Sequence, residues 1–392
     1  MESPSFAWCN TWYNRIATPR ATIPMLNIDP YLPWNSGGSA KAMGMGGAFT
    51  AVANDLGGAV EYNPAGLSYL NTFTVGALAI ARRTNSINGT SGKKSNWDIV
   101  PTYAGAALKV GRFALALSRK QPETTALYQK FSSIQSNITA PDGYAMSYDT
   151  LSDMFDTSGL DTYVLTGAIK ISRLSLGANY NMIKGNIQRT QRGRITTSPS
   201  TSSNNRFDSG ETINFKGYTV DFGALLDMGP LRLGASAKNM LGSVDVYRDI
   251  WWIDNFGYGP LPSGLNWASK SSTEEKKGFA RSYTGGAAII LGKVLTVDLD
   301  YVRTELWDYD KAQGRFGAEL AVIPGFLFAR GGVKSDFKNL VDKQDQKTME
   351  YFVGAGLKLA MLTVDASASL IQAKAGASGS DMTGSVGAMM KF

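Results

Sequence analysis

Polar and apolar residues alternate along most of this chain. In LSLGANYNM, Leu174, Leu176, Ala178, Tyr180 and Met182 fall on one face, and Ser175, Gly177, Asn179 and Asn181 on the other. MLTVDASASL repeats the pattern, with Leu362, Val364, Ala366, Ala368 and Leu370 opposing Thr363, Asp365, Ser367 and Ser369. In LTVDLDYV, Leu295, Val297, Leu299 and Tyr301 oppose Thr296, Asp298 and Asp300. Successive side chains of a strand point to opposite faces, so a period of two predicts strands with one apolar face. Fourteen such segments begin near Thr72, Asp98, Arg112, Leu160, Leu174, Thr212, Leu231, Ser282, Val294, Gln313, Phe326, Met349, Met361 and Asp381.

The connections alternate in length. Tight turns are expected at Val110-Gly111-Arg112, Ser172-Arg173, Met228-Gly229-Pro230, Gly292-Lys293, Ile323-Pro324-Gly325 and Leu359-Ala360-Met361. Longer loops fall between them, at about 85–96, 121–159, 190–211, 248–281, 304–312, 335–348 and 373–380. Tight turns at one end and long loops at the other are the layout of an outer-membrane barrel, its tight turns periplasmic. The predicted fold is all-β, a 14-stranded antiparallel transmembrane β-barrel over 72–392, preceded by an N-terminal extension and plug over 1–71.

Charge decides which face meets lipid. Lys170, Asp221, Lys238, Asp298, Asp300, Glu319, Lys358 and Asp365 fall within the strand segments. A lysine facing hydrocarbon near the bilayer midplane costs about 2–4 kcal/mol. These residues are therefore expected to line the interior, as ion pairs or solvated groups. Tyr103, Tyr163, Tyr180, Tyr301 and Tyr351 are expected in interfacial girdles outside.

Composition agrees with a barrel: 43 Gly, 17 Tyr, 17 Phe and 8 Trp, and no run of about 18 apolar residues that would make a membrane-spanning helix. The net charge of +7 is dispersed, without a basic run, which counts against nucleic acid as a partner. Histidine is absent, which removes His-dependent catalysis, most zinc sites and the usual pH switch, so no enzyme activity, cofactor or metal is expected. Asp98, Asp298 and Asp300 with Glu319 could be imagined as a calcium cluster, but they are expected to be dispersed lumen charges. Cys9 is the single cysteine, so no intrachain disulfide forms. MESPSFAWCNTWYNRIATP lacks a charged n-region followed by an apolar h-region, so a processed or misassigned start is expected.

Before the first strand lies GMGGAFTAVANDLGGAVEYNPAGL, Gly44 to Leu67. Its small residues predict a short helix over Ala40–Ala53, broken by Asn54-Asp55 and Gly57-Gly58. Asn63-Pro64 then imposes a turning step, with the Asn63 side chain bonded to its own backbone. A small-residue helix, an Asn-Asp and YNPAGL ahead of the first strand resemble the FadL family of outer-membrane transporters, and the related PorV-like proteins. The resemblance implies a hatch formed by Asn63, Pro64 and Ala65 that plugs the barrel. It implies outer-membrane location, passive uptake of long-chain fatty acids or other hydrophobic molecules, and their sideways release into the membrane lipids. Apolar loop residues Trp251, Trp252, Phe256, Phe131 and Phe155 would capture the ligand, and Lys170 or Lys238 would pair with a carboxylate head group. The alternative is a PorV-like secretion component or shuttle that binds protein partners. The final strand GSVGAMMKF ends in an aromatic, Phe392, which resembles the signal read by the barrel assembly machinery.

Overall fold

The computed structural model describes residues 38–86, 94–121, 126–129, 135–139, 145–156, 160–198, 205–255, 267–277, 280–292, 294–306, 309–339, 349–371 and 382–392. Among them, one sheet contains β1 (Phe73–Ser86), β2 (Lys94–Val110), β3 (Phe113–Lys120), β4 (Ala126–Gln129), β5 (Gln135–Thr139), β6 (Ala145–Asp156), β7 (Leu160–Ile171), β8 (Leu174–Ser198) and β9 (Asn205–Met228). It continues through β10 (Leu231–Asn255), β11 (Trp267–Lys277), β12 (Arg281–Leu291), β13 (Leu295–Leu306), β14 (Tyr309–Ile323), β15 (Leu327–Asn339), β16 (Met349–Leu359), β17 (Leu362–Ile371) and β18 (Met382–Lys391).

Fourteen strands form the closed wall. Each is antiparallel to the next from β1 through β2, β3, β7, β8, β9, β10 and β12. The ladder then runs through β13 to β18 and returns to β1. Closure pairs the first strand of the wall with the last, as a sheet that spans a membrane requires. The seam is sealed by the Phe392 N–H donating to Phe73 O at 2.8 Å, with the two rings 5.7 Å apart.

The remaining strands correct the expected loops. β8, β9 and β10 run on past the barrel, so 190–211 and 248–281 are largely hairpin rather than irregular loop. β11 pairs with β10, and β6 pairs with β4, β5 and β8. Neighbouring strands extend because their backbone groups pair with one another and not with water. A sequence reader sees instead the loss of the apolar face where the chain leaves the bilayer.

The barrel is inside-out relative to a soluble protein. Leu299 is 58% exposed, while its neighbours Asp298 and Asp300 are 0% and 1% exposed. The apolar face meets lipid and the charges turn inward. Tyr163, Tyr180, Tyr301 and Tyr351 lie outside, as expected, but Tyr103 is buried inside. The β1–β2 ladder explains this: Leu78 faces Tyr103 but Ala79 faces Pro101, so Thr102 is an extra residue. The bulge puts two consecutive side chains on the inner face and reverses the alternation. Lys358 keeps the inward parity but lies exposed at the tight-turn end of β16.

Residues 38–71 fold inside this wall. Helix α1 (Ala40–Gly44) ends far short of the expected Ala53, because Gly46 and Gly47 take left-handed φ angles of 68° and 74° and turn the chain. Helix α2 (Leu56–Glu61) contains Gly57 and Gly58 instead of being broken by them. A side chain at position 58 would collide with the Phe49 ring. A 3-10 turn over Pro64–Tyr69 leads into β1.

Candidate functional site

Helices this short are marginal in isolation and need tertiary support. Their caps supply some of it. The Ser39 hydroxyl accepts from Ala42 N at 3.1 Å and donates to Asp55 Oδ2 at 2.6 Å. Asp55 Oδ1 in turn accepts from Gly58 N at 2.6 Å, so two N-caps are tied together. Asn63 does three things at once. Its Oδ1 accepts from Ala65 N at 3.2 Å, the turn expected from sequence. Its amide donates to Thr50 O within the plug at 2.9 Å and to Ala224 O on β9 at 3.0 Å.

The plug's charges meet partners on distant strands. Glu61, at the end of α2, is 2% exposed. It lies 2.8 Å from Lys238 Nζ on β10 and 3.3 Å from Lys120 Nζ on β3. Lys41 reaches Glu319 at 2.8 Å, Glu319 bonds Arg330 at 2.6 Å, and Arg330 bonds Asp365 at 2.8 Å. Asp300 Oδ2 accepts from Phe49 N at 2.9 Å and Thr50 N at 3.0 Å. Of the carboxylates weighed as a calcium cluster, Asp300 is thus engaged with the plug and Glu319 with Lys41 of the plug and Arg330. Among the described residues no group of three acidic or cysteine side chains could hold a metal. A buried charge stripped of its partner costs about 3–5 kcal/mol, so these pairs hold the plug as well as satisfying the wall.

At the tight-turn end Tyr69 lies between two cations, 4.1 Å from Lys170 Nζ and 4.2 Å from the Arg232 guanidinium. Its hydroxyl donates to Asp227 Oδ2 at 3.0 Å. Burial pushes the Tyr69 phenol above its ordinary value, against the pull of Ser175 and Arg232, and keeps the donor protonated.

Further out, the inner wall changes character. At the level of the plug β8 and β9 present Ser175, Asn179, Asn181, Thr219 and Asp221. The next inward positions carry Ile183, Ile187, Ile213 and Phe215, which cluster with Val244, Val246 and Leu160. An apolar inner surface lies directly outward of a polar, plugged floor. The wall is also uneven: β3 stops at Lys120, opposite Tyr103. Among the described residues β2 from Lys94 to Pro101 pairs with β1 and with no strand on its other side.

The sequence-expected residues distribute as follows. Asn63, Pro64 and Ala65 lie in the lumen, fully buried. Lys238 faces Glu61 and Lys170 lies 3.8 Å from Asp227, so the two lysines occupy different levels with internal partners. Trp251 and Trp252 stand on β10 opposite Lys270 and Ser269. Phe155 stands on β6 opposite Leu127. Phe131, Phe256 and the N-terminal Trp8, Cys9 and Trp12 lie outside the described residues. Sequence reasoning missed Glu61, Lys120 and Arg330. Glu61 had one visible signal, a lone acid inside the otherwise uncharged run LGGAVEYNPAGL.

No family model matches the sequence, and no curated protein matches it. Solved structures do match in shape. The monoaromatic hydrocarbon channel CymD is 14% identical, with a TM-score of 0.63 over 92% of this chain and 99% of that one. The Ralstonia pickettii toluene transporter TbuX is 14% identical, with a TM-score of 0.59 over 94% and 100%. The Pseudomonas putida toluene transporter TodX is 13% identical, with a TM-score of 0.61 over 90% and 98%. Tight turns at one end, long hairpins at the other and an apolar exterior place the barrel in a bacterial outer membrane. The fold is therefore that of the outer-membrane hydrocarbon channels, the architecture implied by the resemblance of the YNPAGL segment to FadL-type transporters.

Proposed function

We propose that this protein is an outer-membrane channel of the FadL type for passive uptake of hydrophobic molecules, long-chain fatty acids foremost. The observation that carries the reading is the apolar inner wall of Ile183, Ile187, Ile213, Phe215, Val244 and Val246 outward of the plug. A barrel that passes polar solutes has a polar lumen. Trp251, Trp252, Phe256, Phe131 and Phe155 take up the ligand. It descends along the apolar wall to the level of Lys238. There a carboxylate competes with Glu61 for the Lys238 ammonium, and that exchange loosens the segment through residue 71 as a hatch. Lys170, held by Asp227, is the lower of the two head-group candidates. Exit is sideways, where β3 has ended at Lys120 and, among the described residues, Lys94 to Pro101 of β2 pair with β1 alone. Phe392, 52% exposed at the barrel's rim, is the residue offered to the assembly machinery.

Native mass spectrometry of the detergent-purified protein, with organic extraction, tests the reading. Bound fatty acids, and weaker binding of oleate but not of oleyl alcohol in Lys238→Met, are the expected results. Binding of toluene but not oleate would keep the hydrophobic channel and remove the fatty acid. An apolar-ligand-free barrel that retains a protein partner would overturn the reading in favour of the PorV-like shuttle.

A further inference from the structure

Glycines recur on the inner wall in opposed pairs. Gly177 of β8 faces Gly223 of β9, Gly234 of β10 faces Gly286 of β12, and Gly317 of β14 faces Gly332 of β15. All six lie within six residues of the strand ends at the tight turns, so they form a partial belt, on six of the fourteen wall strands, at one level of the barrel. Glycine inside a strand weakens it and usually marks a place where another backbone approaches closely.

That backbone is the plug's. A Cβ on Gly177 would stand closer than 3.0 Å to the Pro64 carbonyl and Ala65 N. On Gly223 it would strike Asn63 Oδ1 and the Pro64 ring, and on Gly234 it would come 2.5 Å from Thr50 O. On Gly317 and Gly332 it would overlap the Met45 carbonyl, and on Gly332 also Gly46 N. Gly286 leaves room for the Asp300 carboxylate that holds the plug at Phe49 and Thr50. Other wall glycines supply a contrast. Gly167 of β7 and Gly285 of β12 have nothing within 4 Å of a built Cβ.

We propose that this partial belt is the plug's seat and a permeability seal: along β8 to β15, plug main chain laid directly on wall main chain closes that side of the lumen to water and small polar solutes. Where a built Cβ would already stand closer than 3.0 Å to the plug backbone, no space for a file of water lies between plug and wall. The seal does not depend on which ligand the protein carries. It lies below the apolar wall, so it bars the direct route to the tight-turn end whatever occupies the lumen above it. The belt residues act on the plug's position and touch no transported molecule.

The experiment is swelling of liposomes carrying the full-length protein, with arabinose as the permeant. Folding is read separately from heat-modifiable mobility on gels. Gly223→Ala, Gly317→Ala and Gly332→Ala are expected to raise the swelling rate about tenfold or more, as overpacking lifts the plug from its seat. Gly167→Ala and Gly285→Ala are expected to swell no faster than the unaltered protein. Should the stronger variants fail to fold, Gly354→Ala decides, because its Cβ would only graze the Gly44 Cα at 3.0 Å; a smaller leak is expected. Folded belt variants as tight as the unaltered protein, or controls that leak equally, would overturn the proposal. Oleate binding measured on the same variants separates the seal from the transport reading, since either result can fail alone.

Discussion

Asn63→Ala is the sharpest single perturbation of the plug. The side chain is fully buried and makes three hydrogen bonds, at 2.9 Å to Thr50 O, 3.0 Å to Ala224 O and 3.2 Å from Ala65 N. Each such bond contributes about 1 kcal/mol net, and stranded buried partners add to the loss, so the seated plug loses about 3 kcal/mol relative to the unseated one. At about 1.4 kcal/mol per decade, the unseated population rises about a hundredfold. The wall keeps all its ladder bonds, so the effect is local. Hydrogen exchange followed by mass spectrometry reads it directly. Amides of Thr50 to Leu70 are expected to exchange about a hundredfold faster in Asn63→Ala, with β12 to β17 unchanged. Asn63→Asp keeps the acceptor for Ala65 N–H but loses both donations, and is expected to accelerate the same peptides. Two results would refute the reasoning: exchange in Asn63→Ala within about threefold of the unaltered protein, or acceleration spread evenly over the wall strands.

Three further outcomes are expected. Arg330→Met leaves Glu319 and Asp365 without their shared partner and costs about 3–5 kcal/mol, seen as a lower temperature for the heat-modifiable gel shift. Leu299→Arg places a charge on the lipid face between two inward aspartates and costs about 2–4 kcal/mol near the midplane, measured by equilibrium unfolding into phospholipid vesicles. Because the Tyr69 phenol is raised in the folded state, the folded form holds its proton more tightly. Stability from this group is full below about pH 10 and falls as pH rises through and above that value; Tyr69→Phe is expected to lack that component in a pH series of plug hydrogen exchange.

Much of the architecture was legible because the relevant signals are local. Strand starts at Leu160, Leu174, Leu231 and Met349 coincide with the alternation itself. The charge argument placed Asp298, Asp300, Glu319 and Asp365 inside, because hydrocarbon excludes them wherever the neighbouring strands fall. The Asx turn at Asn63-Pro64-Ala65 needs three consecutive residues and no distant ones. Tyr103 misled because one extra residue, Thr102, reverses the parity of everything after it, and a bulge is defined by the partner strand. The extensions of β8 to β10 were hidden because, outside the bilayer, a strand has no apolar face to show.

What this sequence determined by itself is therefore the period of two, the tight turns, the sign of each face and the small, cap-rich character of residues 38–71. Each follows from interactions within a few residues or from contact with lipid. Tertiary structure alone decided which strand meets which plug residue. Lys41 finds Glu319 from 278 positions away, and Glu61 finds Lys238 from 177. Such pairings depend on barrel closure, which brings strands from both ends of the chain around one short segment. The paired glycines are visible in sequence one at a time, but their common level and the backbone they receive exist only once the wall has closed.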